Sequence, residues 1–269
     1  MNKIGICSWC LPFSGEELFQ YVKSAGMSDI SFDFDYEKCK SPESRKAWCD
    51  EWIEFARKND CQYSIMAINI LVTYGMSKEE NFEEIKKILE SAIPAAAAIG
   101  VPCVHMPSFI NGEIHTEAEF EQTMKCLEYA VELGEKYNVQ IGHESVLSDD
   151  LNTIILDRIK SPVFFLLYDN ENLLRNHLNP VTTYTNFAEI YRHAHLKLSN
   201  PETGMPELLA NSEEFGGVNA VLEAMKNRDF SGTIILETDY KKVNDFDTMD
   251  SMIKEDIMFI QNILEKSRM

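Results

Sequence analysis

Short apolar runs of strand length alternate eight times with longer segments of helical period along the chain, with no break in composition. Lys3-Ile4-Gly5-Ile6-Cys7-Ser8-Trp9 opens the series and ends at Pro12 and Gly15. Glu16 to Ala25 follows with Leu18, Phe19, Val22 and Ala25 at helical spacing, and closes at Gly26. The later strand-like runs are Asp29 to Phe34, Gln62 to Asn69, Val101 to Pro107, Val139 to Ser145, Val163 to Asp169, Arg192 to Asn200 and Gly232 to Thr238. Helical patterns cover Ser44 to Lys58, Asn81 to Ile99, Glu117 to Tyr137, Asp150 to Ile159, Thr183 to Tyr191, Phe215 to Asn227 and Asp250 to Glu265. Pro94, inside the third of these, removes one backbone hydrogen bond, and a bend is expected there.

Strand and helix in regular alternation call for parallel pairing through right-handed crossovers. At 269 residues the economical closure is an α/β fold, a single (β/α)8 TIM barrel whose one domain spans residues 1–269. The competitor is an open doubly wound sheet, whose usual glycine-rich turn after the first strand has no counterpart here.

Charge and cysteine content narrow the partners. With 44 acidic and 25 basic residues the formal charge is −19, which repels a phosphate backbone, so nucleic acid is not an expected partner. Seven cysteines, an odd number at wide spacing, make no disulfide framework. Cys7 and Cys10 form one Cys-x-x-Cys but lack the second pair of a tetrahedral zinc site, and they read as reduced core thiols. The N-terminal run is short and leads to Glu16 and Glu17, so it matches neither a signal peptide nor a membrane span. A cytoplasmic protein without membrane contact is expected.

In a barrel, functional side chains stand at the C-terminal ends of the strands. Four consecutive strands end there in an ionisable residue: Glu144, Asp169, His195 and Glu237. His195 and Lys197 share one face of their strand, and burying them requires carboxylate partners. Three clustered carboxylates in turn repel one another unless a cation sits among them. One divalent metal ion resolves that repulsion; the alternative is a set of unrelated helix caps and ion pairs. The oxygen-rich set with a single imidazole suits Mn²⁺ or Mg²⁺ and also admits Zn²⁺, Co²⁺ or Fe²⁺. Around it, Lys197 is a candidate substrate contact or a structural ion pair, and His105 a substrate contact or a core histidine. Trp9 is a candidate apolar wall for a small ligand, His143 must point away from Glu144, and Trp48 and Trp52 belong to a helix core.

The Glu144, Asp169, His195 and Glu237 series, with the His-x-Lys of His195 and Lys197, resembles the xylose-isomerase-like barrel superfamily of sugar phosphate isomerases and epimerases over essentially the whole chain. The resemblance implies that these four residues bind one divalent ion and that Glu144 and Glu237 act as catalytic acid and base. It implies an isomerase or epimerase of a small sugar or sugar derivative, working by proton transfer through a metal-stabilised enediolate. Members of the superfamily often pair, which extends the expectation to a homodimer. The alternatives are an inosose-type dehydratase on the same site and a sugar-binding barrel without turnover. A DNA-repair endonuclease is disfavoured by the acidic charge and the missing extra histidines. Two positions depart from the family pattern: Asn172, counted with the substrate contacts, stands where Asp-x-x-His has its histidine, and Leu198 stands where His-x-Lys-Asp has its aspartate.

Overall fold

The computed structural model describes residues 2–265. The first elements are strand β1 (Ile4–Cys7), helix α1 (Gly15–Ser24), β2 (Asp29–Asp33), α2 (Pro42–Asn59), β3 (Ile65–Ala67), α3 (Ile70–Tyr74), α4 (Phe82–Ile99), β4 (Cys103–Ser108) and α5 (Glu117–Tyr137). Next come β5 (Gln140–Ser145), α6 (Asp149–Arg158), β6 (Phe164–Leu166), β7 (Tyr168–Asp169), α7 (Asn170–Arg175) and α8 (Pro180–Asn186). The chain closes with β8 (His193–Leu196), α9 (Gly217–Asn227), β9 (Thr233–Leu236) and α10 (Phe246–Glu265).

Contacts divide the chain into two compact units, one of residues up to Ile30 and from Tyr168 onward, the other Ser31–Leu167. In the second unit the strands lie in the order β2-β3-β4-β5-β6, all parallel. The register sets Pro107 opposite Glu144 and His105 opposite Gly142. Glycine is required at 142, because a Cβ there would stand 2.5 Å from the ring of Phe165. The helices of this unit begin and end on local signals. Thr116 and Glu119 form a reciprocal cap on α5, and Asn138 ends it in the left-handed conformation. The aliphatic face of α4 carries Ile85, Ile88, Leu89, Ala92 and Ala96 into the core, and the helix continues through Pro94. Trp52 stacks on Phe32 at 4.0 Å between ring centres, with Trp48 and Tyr63 against the same ring; Trp48 is core, as its helical spacing predicts, while Trp52 covers Phe32 and stays partly exposed.

The first unit orders its strands β7-β8-β9-β1, again parallel. Asp169 pairs with His195, and His195 with Ile235. A Tyr168, Tyr184 and Tyr191 cluster fills the space under α8, with Tyr184 and Tyr191 stacked at 5.8 Å. All seven cysteines are buried free thiols, and burial followed by the Cys10 hydrogen bond holds the Cys7 thiol well above its ordinary range. Among the described residues no helix is long and apolar enough to cross a membrane.

Two segments differ from the sequence expectation. The run Val163 to Asp169 is divided into β6, which pairs with β5, and β7, which pairs with β8. The helix expected over Thr183 to Tyr191 is α8, begun by the Asn179 side chain accepting from the backbone N–H groups of Val181 and Thr182 at 3.0 and 3.1 Å. Short helices α3 and α7 add to the expected elements, and α7 starts directly at the end of β7.

One buried acid gives the fold a pH signature. Asp256 on α10 is 1% exposed and accepts hydrogen bonds from the Leu209 N–H at 2.8 Å and the Tyr240 hydroxyl at 2.7 Å. Burial raises its carboxyl from 3.8 to about 6 against the lowering effect of both donors. The folded chain therefore holds this proton to higher pH than the unfolded chain, and ionisation between about pH 4 and 6 subtracts stability. Asp256→Asn keeps the shape and removes the ionisation. Relative to the parent protein, the variant is expected to gain up to about 1.4 kcal/mol per pH unit across that window, measured by urea denaturation from pH 4 to 7; a stability difference that is flat with pH would contradict it.

Candidate active site

The first unit gathers four sequence-predicted residues at the ends of its strands. Asp169 ends β7 and caps α7 at the same time. Its Oδ1 accepts from the Asn172 N–H at 2.8 Å, while its Oδ2 lies 2.7 Å from the Lys197 ammonium. Glu237 follows β9, where its N–H continues the ladder to the Leu196 carbonyl at 2.9 Å. Its Oε2 lies 2.9 Å from Lys197 Nζ and 3.2 Å from His195 Nδ1. Lys197 thus bridges two carboxylates on neighbouring elements, the arrangement that a buried His-x-Lys demands. Asp169, His195 and Glu237 each offer one ligand atom, and these atoms lie within 4.8 Å of one another.

Electrostatics follow from this packing. Burial alone would push the Glu237 carboxyl up, but the Lys197 ammonium and then His195 outweigh it and hold Glu237 well below the usual carboxylate range. It is an ionised carboxylate at neutral pH. Two oxygens of hard character beside one imidazole make a donor set suited to a divalent cation, and a cationic ammonium already stands on the same two oxygens. The residues present fit a metal ion.

The loop that carries Lys197 is held by residues that sequence reasoning missed. Asn170 is 1% exposed; its side-chain amide accepts from the Lys197 N–H and donates to the Lys197 carbonyl, both at 2.9 Å. Glu171 accepts from the Ser199 N–H at 2.8 Å and from its hydroxyl. Thr238 accepts from the Leu198 N–H at 3.1 Å, so the position where the family pattern has an aspartate is tied through its backbone. Asn172, expected as a substrate contact, sits in the first turn of α7, where its carbonyl accepts from the Asn176 amide at 2.9 Å. Trp9 lies in a single helical turn after β1 and lines a cavity together with Lys197 and Glu237.

In the second unit, Glu144 lies near the end of β5 and is 1% exposed. His105 on β4 meets its carboxylate through Nε2, so these two predicted residues are direct partners. His143 is fully buried, and burial pushes its imidazole down to about 4, leaving it neutral. Both of its neighbours in register, Met106 and Leu166, are core residues.

The description of the xylose isomerase-like TIM barrel family matches residues 19–263, and the chain belongs to that family; its fold is the family's parallel α/β barrel. Among its relatives is 2-epi-5-epi-valiolone 7-phosphate 2-epimerase of Actinoplanes sp., 25% identical over 241 residues, which cover 89% of this chain and 88% of that protein. Among solved structures, an L-ribulose 3-epimerase superposes with a TM-score of 0.75 at 15% identity, covering 98% of this chain and 95% of its own. A probable 3-DHS dehydratase from Bacillus anthracis superposes with a TM-score of 0.70 at 13% identity, covering 97% and 99%.

Removing the Asn170 side chain tests the clamp on Lys197. Asn170→Ala leaves a buried N–H and carbonyl without their partners and is expected to cost about 2–3 kcal/mol of stability in urea denaturation. A loss below about 0.5 kcal/mol, the range of ordinary surface changes, would contradict the clamp.

Proposed function

We propose that this chain is a divalent-metal-dependent isomerase or epimerase acting on a small sugar or sugar derivative, working as one domain over its whole length. The observation that carries the reading is the buried Asp169, His195, Lys197 and Glu237 cluster at the strand ends of a chain of this family. In this reading Asp169, His195 and Glu237 would hold the ion, with Glu144, the remaining strand-end carboxylate of the sequence series, completing the set. Mn²⁺ or Mg²⁺ suits the oxygen-rich donors best. When bound, the ion polarises a substrate carbonyl and acidifies the adjacent C–H.

The chain's own residues perform the proton transfers. Glu144 takes the proton from carbon, with His105 Nε2 fixing the carboxylate that receives it. For epimerisation Glu237 returns a proton at the opposite face of the same carbon, one it receives from the Lys197 ammonium 2.9 Å away, which regains it from solvent as Glu144 releases its own. Aldose–ketose isomerisation uses only one of these carbon bases. Lys197, half-way between Asp169 and Glu237, donates hydrogen bonds to a substrate oxygen. The same ammonium beside Glu237 would serve an inosose-type dehydration by protonating a departing hydroxyl, and this is the second reading.

The test is solvent exchange in deuterated water with Mn²⁺ or Mg²⁺ present, over a panel of ketoses, inososes and hydroxypyruvate. One deuterium is expected at the carbon beside the carbonyl, without loss of water from the substrate. Glu144→Gln is expected to slow exchange roughly a hundredfold or more while the substrate still binds. Exchange at an undiminished rate would remove Glu144 as the carbon base, and elimination of water would favour the dehydratase.

A further inference from the structure

The cavity of about 360 Å³ that holds Lys197 and Glu237 is built largely from two loops. Lys197, Ser199 and Gly204 come from the loop after β8, and Glu237, Thr238 and Lys241 from the loop after β9. The main chain of Glu237 is bonded on both sides: its N–H reaches the Leu196 carbonyl at 2.9 Å, and its own carbonyl accepts from the Cys10 thiol at 3.3 Å. The chain then reverses in an inverse γ-turn. Asp239 has φ −75° and ψ 64°, and the Tyr240 N–H returns to the Thr238 carbonyl at 2.8 Å. Tyr240, directly after the turn, is fully buried.

One carboxylate on α10 holds both loops. Asp256 Oδ2 accepts from the Tyr240 hydroxyl at 2.7 Å and Oδ1 from the Leu209 N–H at 2.8 Å, and Leu209 belongs to the loop after β8. Thr238 extends the connection: its hydroxyl hydrogen-bonds that of Tyr240 and accepts from the Leu198 N–H at 3.1 Å. A buried chain therefore runs from Asp256 through Tyr240 and Thr238 to the sequence neighbours of Lys197 and Glu237. A second tie between the loops is weaker. Lys242 donates to the Gly204 carbonyl at 3.0 Å, but its side chain is half exposed, and solvent competes for such a bond. Bonds to a carboxylate shielded from water are the stronger ones. Both oxygens of a carboxylate accept, so Leu209 and Tyr240 both donate toward α10, whereas an amide of the same shape turns a donor toward one of them. That polarity costs stability, because burial raises the carboxyl to about 6 and it is ionised at neutral pH.

We propose that Asp256 is a positioning residue for the candidate active site: through Tyr240 and Thr238 on one side and Leu209 on the other, it fixes the two loops so that the Lys197 ammonium and the Glu237 carboxylate keep their 2.9 Å contact. Its own bonds go to Leu209 and Tyr240 and not to the reacting groups. Its meaning for catalysis rests on the proposed function, while the positioning is a property of the fold that is measurable without turnover. Groups that orient the ligands of a metal from behind typically matter about tenfold to a hundredfold.

Asp256→Asn and Tyr240→Phe, singly and together, test it at neutral pH by urea denaturation, calorimetric titration with Mn²⁺ and backbone amide hydrogen exchange. Mn²⁺ affinity is expected to fall about tenfold or more in each variant. The amides of Leu198 and Glu237 are expected to exchange about tenfold or more faster, while those of α1 stay as they are. The double variant is expected to match the more affected single one, because the two side chains act in one chain. At saturating Mn²⁺, deuterium exchange into a ketose that the parent turns over is expected to slow with KM little changed, since neither side chain meets the substrate. A purely structural role gives another pattern: stability drops, amides throughout the unit speed up together and the folded protein keeps its Mn²⁺ affinity, which overturns the proposal. Unchanged exchange at Leu198 and Glu237 overturns it as well. Should Asp256→Asn fail to fold, Tyr240→Phe, which keeps the buried ring, decides on the same readouts. The two ideas fail separately: a parent that binds no Mn²⁺ and turns over no ketose contradicts the proposed function, and the Leu198 and Glu237 amides still decide the role of Asp256.

Discussion

Everything at the strand ends depends on the ammonium of Lys197 lying between the carboxylates of Asp169 and Glu237, at 2.7 and 2.9 Å. Asp169 is buried and Glu237 nearly so, and two such charges side by side are costly without a counter-charge. Lys197 supplies it, and His195 adds to it from the same strand. The consequence is a pair of ionised oxygens already organised around a positive charge. Two carboxylate oxygens beside one imidazole are a donor set of the kind a divalent cation takes.

The scaffold makes that placement inexpensive to maintain. Parallel register sets Asp169 beside His195, and each strand end hands its polar residue directly to the loop that follows. Asp169 uses one oxygen to cap a helix and the other to meet Lys197, so the bland structural role of a strand-end acid and its chemical role coexist in one side chain. Asn170, Glu171 and Thr238 then hold the backbone of Lys197, Leu198 and Ser199 in turn. Three consecutive residues fixed through their main chain leave the Lys197 side chain one direction to extend.

The strand ends were legible because an apolar run that stops at an ionisable residue is visible without any structure, as Glu144, Asp169 and Glu237 illustrate. The partnership of His195 and Lys197 with carboxylates was legible from the cost of burial alone. The clamp was not, because Asn170 and Glu171 meet residues 27 and 28 positions away through loop backbone, and no local period marks such a contact. Helix α8 shows the opposite case: Asn179-Pro180 is a cap signature, but the apolar period after it is weak, so pattern reading places the helix too late. The exact ends of the strands were the least legible, since pairing to different neighbours divides one apolar run into β6 and β7.

The central claim is that the carboxylates meeting at Lys197 form, with His195 and Glu144, the seat of one divalent cation. Anomalous diffraction from crystals grown with Mn²⁺ tests it most directly. The account predicts a single strong peak bonded by Glu144, Asp169, His195 and Glu237 at about 2.0–2.3 Å, the range of metal–oxygen and metal–imidazole bonds. No peak at these side chains with Lys197 still bridging Asp169 and Glu237, or a peak held by other residues, would contradict it.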